Sequence, residues 1–293
     1  MGANSALSAF DTEVDLPVTG SVPLGRLALR LLSVSAFVGL WWLLVNYSVS
    51  VIGLNFGLIS GPVATGGALL NYLAGEPMTA GGQTIYIHIL YSTWRVAAGV
   101  GIATVLAVTL GLLIGTSQQW EDYVYPAVEL FRPIPPVAWV PIAILVFPTL
   151  SVTALSVNLA VLFVVFVGAF FPILVNTIEG VRNVEEEYSR AAESLGADRT
   201  DVFRHVILPA TLPAILTGIS LGIGLGWITV VAAEIVAGNY GIGYVTYQAY
   251  RLLATDVILV GMITIGALGY ASSWLVVQAA NHLTPWGNIE TNR

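Results

Sequence analysis

The sequence predicts an all-α polytopic membrane protein with about six transmembrane helices. Of its 293 residues, 56% are hydrophobic and only 9% are charged, whereas soluble domains carry about a quarter charged residues. Several apolar runs reach the roughly 20 residues that a helix needs to cross about 30 Å of hydrocarbon. The alternating ten-residue segments of a transmembrane β-barrel are absent.

Residues 1–26 read as a polar tail with a short helix at most, acidic at Asp11, Glu13 and Asp15. That acidity, and a following apolar run too long for an h-region, argue against a signal peptide. The first span is expected at about Leu27–Val49. Arg26 and Arg30 place its start in the cytoplasm, and Trp41, Trp42 and Tyr47 suit the opposite interface. Residues 50–87 carry Gly and Pro and no clean span, with a short amphipathic piece around Pro62–Leu73. The second span is expected at about Val96–Thr116, between an amphipathic lead-in (His88–Arg95) and a polar turn at 117–122. The third lies within residues 125–147, and a linking stretch follows at 148–153. The fourth is about Leu155–Ile178, the fifth Ala210–Ala237 and the sixth Val257–Ala280. Residues 27–286 thus form one transmembrane domain, followed by a short tail at 287–293. Six spans put both termini on the cytoplasmic side. Arg182, Arg190, Arg199, Arg204 and Arg293 then fall inside, with Arg95 and Arg251 outside, as the positive-inside rule requires.

Many chemistries are excluded. There is no cysteine, so no disulfide framework and no thiolate metal site. His88, His205 and His282 lack ligand spacing and read as solvated or interfacial, so no metal site is expected. No GxxxxGK[ST], HExxH or Gly-x-Ser-x-Gly occurs, which leaves no P-loop, zinc-protease or serine-hydrolase constellation and no catalytic residue.

The most patterned stretch is polar. Residues 179–209 hold eleven of the 27 charged residues, between two apolar runs, so they form a loop at the membrane surface. Asn183, or alternatively Arg182, caps a helix whose first turn carries Glu185, Glu186 and Glu187, on the favourable side of the helix dipole. Ala191, Ala192 and Leu195 make an apolar patch, and Gly196 ends the helix. Asp198 caps a second short helix, with Phe203, Val206, Ile207 and Leu208 as its apolar face. Pro209 and Pro213 open the next span, since proline is tolerated in a first turn. A surface hairpin with no partner is the plainer alternative.

Three further features stand out. In FRPIPPVAWVP (131–141), four prolines remove N–H donors, and such broken backbone must face protein or a water-filled cavity. Glu129 and Arg132 are spaced to pair on one helical face. The alternative is an interfacial kink. Gly218, Gly222 and Gly226 form a small-residue ladder for close helix packing. Glu234 lies within or at the outer end of the fifth span, where an ionisable group is a functional candidate by default. The alternative is a glutamate that reaches the outer interface.

These residues carry a resemblance. Ala191-Ala192-x3-Gly196-x9-Val206-x-Leu208-Pro209 resembles the EAA loop of binding-protein-dependent ABC importer permeases, which have a MetI-like fold. The segment at 132–141 is similar to RP-x-PP-x-AW-x-P of the nitrate/sulfonate/taurine branch. The run from Gly224 to Glu234, GIGY (241–244), LATDV (253–257) and LTPW (283–286) continue the likeness, so that it covers about Trp41 to Trp286. The last three look closest to taurine and alkanesulfonate permeases. One departure is visible: Arg190 stands where the family has a glutamate.

The resemblance implies the transmembrane subunit of an ATP-driven importer working by alternating access. The ATPase-coupling residues would be Arg190, Ala191, Ala192, Glu193, Leu195, Gly196, Asp198, Phe203, Val206, Leu208 and Pro209. The translocation-pathway candidates are Glu129, Arg132, Pro135, Pro136, Trp139, Trp227 and Glu234. Implied partners are ABC ATPase subunits, an extracytoplasmic solute-binding protein, a second permease copy and the lipid bilayer of a prokaryotic cell membrane, with no nucleic acid. ATP and Mg would sit on the ATPase, leaving this chain without a cofactor of its own. The implied cargo is a small anion, with taurine or another alkanesulfonate first and nitrate, bicarbonate or a pyrimidine precursor as alternatives. A passive channel with no ATPase is the competing class, and an intramembrane enzyme lacks a converging catalytic pair.

Overall fold

A computed structural model describes residues 24–47, 50–51, 54–79, 82–147, 149–150 and 157–286. Residues 1–23 of the tail expected at 1–26, the tail at 287–293, most of the link at 148–153 and the expected start of the fourth span lie outside the described residues. Contacts divide the chain into two units, Met1–Pro62 and Val63–Arg293.

The first unit is built on α1 (Leu24–Asn46). Leu29, Leu32 and Phe37 are exposed on it, which carries no penalty against lipid tails. A two-residue antiparallel pairing follows, β1 (Ser50–Val51) with β2 (Leu54–Asn55). The Asn55 side chain then caps a single 3-10 turn by accepting from the Gly57 N–H at 3.1 Å.

The second unit is a helix bundle. Its elements are α2 (Pro62–Leu73), α3 (Ile85–Thr116), α4 (Gln118–Phe131), α5 (Val140–Val146), α6 (Leu159–Arg182), α7 (Glu186–Ser194), α8 (Arg199–Val202), α9 (Leu208–Ala237), α10 (Ile242–Arg251) and α11 (Thr255–Leu283). A second short pairing, β3 (Thr149–Leu150) with β4 (Val157–Asn158), precedes α6. Among the described residues five helical runs are long and apolar enough to cross a membrane, and a bent pair makes a sixth if it counts as one span.

The centre of the bundle is α6, which packs along α3 on one side and α9 on the other. Small residues make this possible. On α3, Gly99, Ala103, Ala107, Gly111 and Gly115 recur every four residues. A Cβ at Gly99 would lie 2.7 Å from a Val165 methyl, at Gly111 2.7 Å from Thr177 Cβ, and at Gly115 2.6 Å from Val181 Cβ. From α6, a Cβ on Gly168 would lie 2.6 Å from a Thr229 methyl of α9. Apolar burial does little to join helices in lipid, so close van der Waals contact must. Val161, Val164, Val165, Ile173, Leu174 and Ile178 of α6 fill the space between the backbones.

Gly111→Leu is therefore expected to destabilise the fold by about 1–3 kcal/mol or more through overpacking. Gly101, on the opposite face of α3 with nothing within 4 Å of a built Cβ, should accept alanine with a gain of about 0.5–1 kcal/mol. Thermal unfolding in one detergent, run on both variants, separates the two sites.

Several expectations change. The lead-in at 88–95 is not a separate segment: α3 is continuous from Ile85, and both His88 and Arg95 are buried, at 3% and 5% exposure. His88 is thus not solvated, because its ring nitrogen finds a backbone N–H inside the bundle. The turn expected at 117–122 is largely the start of α4. The third span is two helical pieces, Gln118–Phe131 and Pro136–Val146, bent by 89°. Proline 133 cannot continue α4, and Pro135 and Pro136 open a new 3-10 turn instead.

Candidate functional site

At the end of the bundle where α6 finishes, the loop is more regular than its charge suggests. Glu185, not Asn183 or Arg182, stands at the N-cap of α7, and Glu186 and Glu187 occupy its first turn. Tyr188, Ala191, Ala192 and Leu195 fall at i, i+3, i+4 and i+7, which makes one apolar stripe. Among the described residues little covers it: Tyr188 is 59% exposed, Leu195 91%, and only Ala192 is half-buried.

Gly196 closes the helix with a left-handed backbone, φ 91°. The Ala197 N–H reaches the Ala192 carbonyl at 3.1 Å and the Gly196 N–H reaches Glu193 at 2.9 Å, the paired bonds of a Schellman ending. Asp198 then caps α8: its Oδ1 accepts from the Asp201 N–H at 2.8 Å, while the Asp201 carboxylate accepts from the Asp198 N–H.

The second helix is not free-standing. Arg199–Ala237 runs as one 39-residue helical span, so α8 is an extension of the fifth span, not a second hairpin arm. A π-helical turn at Phe203–Ile207 absorbs the irregularity at Pro209, which has no N–H to give to the His205 carbonyl. Phe203, Val206, Leu208 and Pro209 are half-buried; Glu193 and Asp198 are exposed. Arg190 binds the Glu186 carboxylate within α7 at 2.6 Å. Both partners are largely exposed, so the pair contributes little stability. Beside the loop, Arg182 of α6 binds Glu121 of α4 at 2.6 Å and lies over the Tyr125 ring.

The proline-rich bend forms a second place of interest. Trp139 packs against Phe131 and Phe163, with ring centroids 6.1 and 6.2 Å away. Its Nε1 is buried without a partner among the described residues. Pro136 is half-buried and Pro135 exposed. Glu129 and Arg132 do not pair. Both are exposed and no ion pair joins them among the described residues, because α4 ends between them and Arg132 begins the bend.

The third place lies at the opposite end of the bundle. Glu234, fully buried, does not reach an interface. Arg95 Nη1 donates to its Oε1 at 2.7 Å, and the Ser92 hydroxyl donates to it at 2.9 Å. The main chain entering α10 completes the network. Gly243 N–H donates to Glu234 Oε2 at 3.0 Å, Ile242 N–H to Ser92 Oγ at 2.9 Å and Gly241 N–H to His88 Nδ1 at 3.2 Å, while the Tyr240 carbonyl accepts from Arg95 at 2.6 Å. Gly241 has φ 124°, and a Cβ there would strike the Glu234 carboxyl. Trp227 lies in the core at 3% exposure and donates Nε1–H to Ser272 of α11 at 2.9 Å.

Sequence reading singled out Glu234 and missed Arg95, His88 and Ser92. A signal was present. Gly218, Gly222, Gly226, Val230 and Glu234 recur every four residues, as do Arg95, Gly99, Ala103, Ala107 and Gly111. Each four-residue step overshoots a helical turn by about 40°, so the α9 stripe winds from one neighbour to the next. A Cβ at Gly218 or Gly222 would meet Ile173 of α6, whereas one at Gly226 meets Val100 of α3. Two turns later the same stripe delivers Glu234 to Arg95.

A spanning bundle of this kind, with broken backbone at one bend and an exposed helical stripe at one end, defines a polytopic helical membrane protein. The chain belongs to the binding-protein-dependent transport system inner membrane component family, whose model matches residues 103–285. It is 32% identical over 203 residues to the nitrate import permease protein NrtB of Leptolyngbya laminosa, covering 69% of this chain and 70% of that one. It is 31% identical over 203 residues to the taurine transport system permease protein TauC of Escherichia coli, covering 69% and 71%. It is 37% identical over 186 residues to the bicarbonate transport system permease protein CmpB of Synechococcus elongatus, covering 63% and 64%. Family membership makes the chain an inner-membrane permease subunit rather than an enzyme, with ATP hydrolysis on a separate subunit and a solute-binding protein as partner.

Proposed function

We propose that this chain carries a small oxyanion across the membrane, driven by ATPase subunits that grip α7. The observation that carries the coupling half is the bare stripe Tyr188–Ala191–Ala192–Leu195, closed by the left-handed Gly196. An amphipathic helix whose apolar anchors lie at i, i+3, i+4 and i+7 is the form that lays into a groove on another protein. Ala191 and Ala192 permit close approach, and Leu195 supplies the anchor. The continuous helix from Arg199 to Ala237 would carry displacement of α7 along the bundle, and the Arg182–Glu121 pair would pass it to α4 and the bend at Pro133–Trp139. ATP and Mg would stay on the ATPase, and this chain would hold no cofactor.

Residues 27–286 would act as one transmembrane domain with both termini in the cytoplasm, paired with a second copy. The cargo reading rests on the relatives, which are nitrate, taurine and bicarbonate permeases. An alkanesulfonate such as taurine is the first assignment. Reconstitution with its partner ATPase and binding protein tests both halves. ATP-dependent uptake of labelled taurine is expected. Uptake of nitrate or bicarbonate instead would replace the cargo, and flux without ATPase or ATP would replace the mechanism with a passive channel.

A further inference from the structure

The bundle end that carries the Arg95–Glu234 pair also holds a cavity of about 450 Å³. Gln83, His88, Asn239, Tyr244 and Gln248 line it, and among the described residues its wall contains no carboxylate and no arginine. The volume lies in the range of small-molecule sites, about 300–1,000 Å³.

The wall is rich in donors. Gln83, Asn239 and Gln248 each carry an amide NH₂. The Gln248 amide donates to the Tyr244 hydroxyl at 3.1 Å, which leaves the phenol proton available to the cavity. His88 adds a donor by elimination. Its Nδ1 accepts from the Gly241 N–H, so that nitrogen carries no proton and the neutral ring holds its proton on Nε2. The residue is 3% exposed, and Nε2 has no protein partner among the described residues.

The same wall is held in place from behind. Arg95, Ser92, His88 and Glu234 bind four consecutive main-chain positions, Tyr240 to Gly243, and Tyr240 stacks on Tyr91 at 5.0 Å. Donors fixed before a ligand arrives need little reorganisation to bind it. Arg95 and Glu234, which stand behind this wall, neutralise each other inside the bundle and are not offered to a ligand.

We infer that this cavity is a transit site for the oxyanion on its way into the bundle. Neutral donors satisfy the oxygens of a sulfonate, nitrate or bicarbonate without burying an ion pair against it. Binding is then favourable enough for entry and weak enough for onward release, which a transport site requires. This assignment rests on the anion cargo proposed above.

The test uses the complete transporter in proteoliposomes, with ATPase and loaded binding protein. Labelled taurine, nitrate and bicarbonate serve as probes. Gln248→Glu keeps the side-chain size and places a negative charge in the cavity; Gln248→Leu removes the donor only. Uptake is expected to fall about tenfold or more in Gln248→Glu, the scale of one like charge at close range. The loss in Gln248→Leu should be smaller, while the affinity of the loaded binding protein for both variants stays within about twofold. Unchanged uptake in both variants overturns the site. Equal losses in both, or losses that track weaker docking of the binding protein, overturn it as well. If the unsubstituted transporter carries none of the three anions, the cargo reading fails and the site falls with it. If it carries one and the variants carry it equally well, the site alone fails.

Discussion

Leu195→Asp is expected to abolish ATP-driven uptake while leaving the permease folded. Leu195 is 91% exposed at the end of α7, so a charge there meets water and disturbs no packing within the chain. Against an apolar groove the same charge must be desolvated without a partner. Loss of an interface anchor of this kind costs about 2 kcal/mol or more, which weakens association about 30-fold or more. ATPase copurification and uptake should fall together, and the unfolding temperature should not move. Gly196→Pro probes the same device through the backbone. Proline fixes φ near −65°, whereas Gly196 sits at 91°, so α7 would leave the loop in another direction. Retained copurification and full uptake in both variants would remove α7 from the coupling path.

Arg95→Ala carries the largest expected loss of stability. It leaves Glu234 buried with its charge unpaired, and breaking a buried pair from one side costs about 3–5 kcal/mol. Glu234→Leu alone should behave similarly, because it strands Arg95. The double variant Arg95→Met with Glu234→Leu restores an apolar pair and is expected to recover part of the loss. Full recovery is barred by the main chain. Gly243 N–H would lose its acceptor and the Tyr240 carbonyl its donor, and each buried unsatisfied group costs about 1–3 kcal/mol. A double-mutant cycle closed with the single variant Arg95→Met reads the coupling directly from unfolding midpoints. Additive losses at the two positions would show that the pair is not coupled. Partial rescue would show that the network anchors the start of α10 as well as balancing charge.

The two predictions concern opposite ends of the same helices. α7 and Gly196 present the surface that an ATPase would move. Arg95, Glu234 and Gly241 hold the turn that shapes the cavity at the far end. Between them, α6 packs on α3 and α9 through stripes of glycine and alanine. Packing that close resists bending and suits the transmission of a displacement from one end to the other.

Much of this was legible in the residues themselves. Apolar length placed α1, α3, α6, α9 and α11, because a bilayer demands about 20 apolar residues whatever the helix neighbours are. Gly196 and Asp198 punctuated the loop as expected, since helix ends are satisfied by local chemistry within a few residues. Pro133, Pro135 and Pro136 announced broken backbone, though not an 89° bend. What stayed hidden was distant in the chain. Periodicity shows which face of a helix is buried but not which helix it meets, so Glu234 looked exceptional while its partner Arg95, 139 positions earlier, looked interfacial. The fusion of α8 with α9 was equally out of reach, because local signals end a helix at Pro209 and only a π-helical turn carries it through. Burial of His88 and Ser92 depends on where the turn before α10 comes to rest, and that is set by packing between segments some 150 residues apart. Local hydrogen-bond chemistry and bilayer thickness act on the sequence directly; the pairing of buried charges waits until the helices have been brought together.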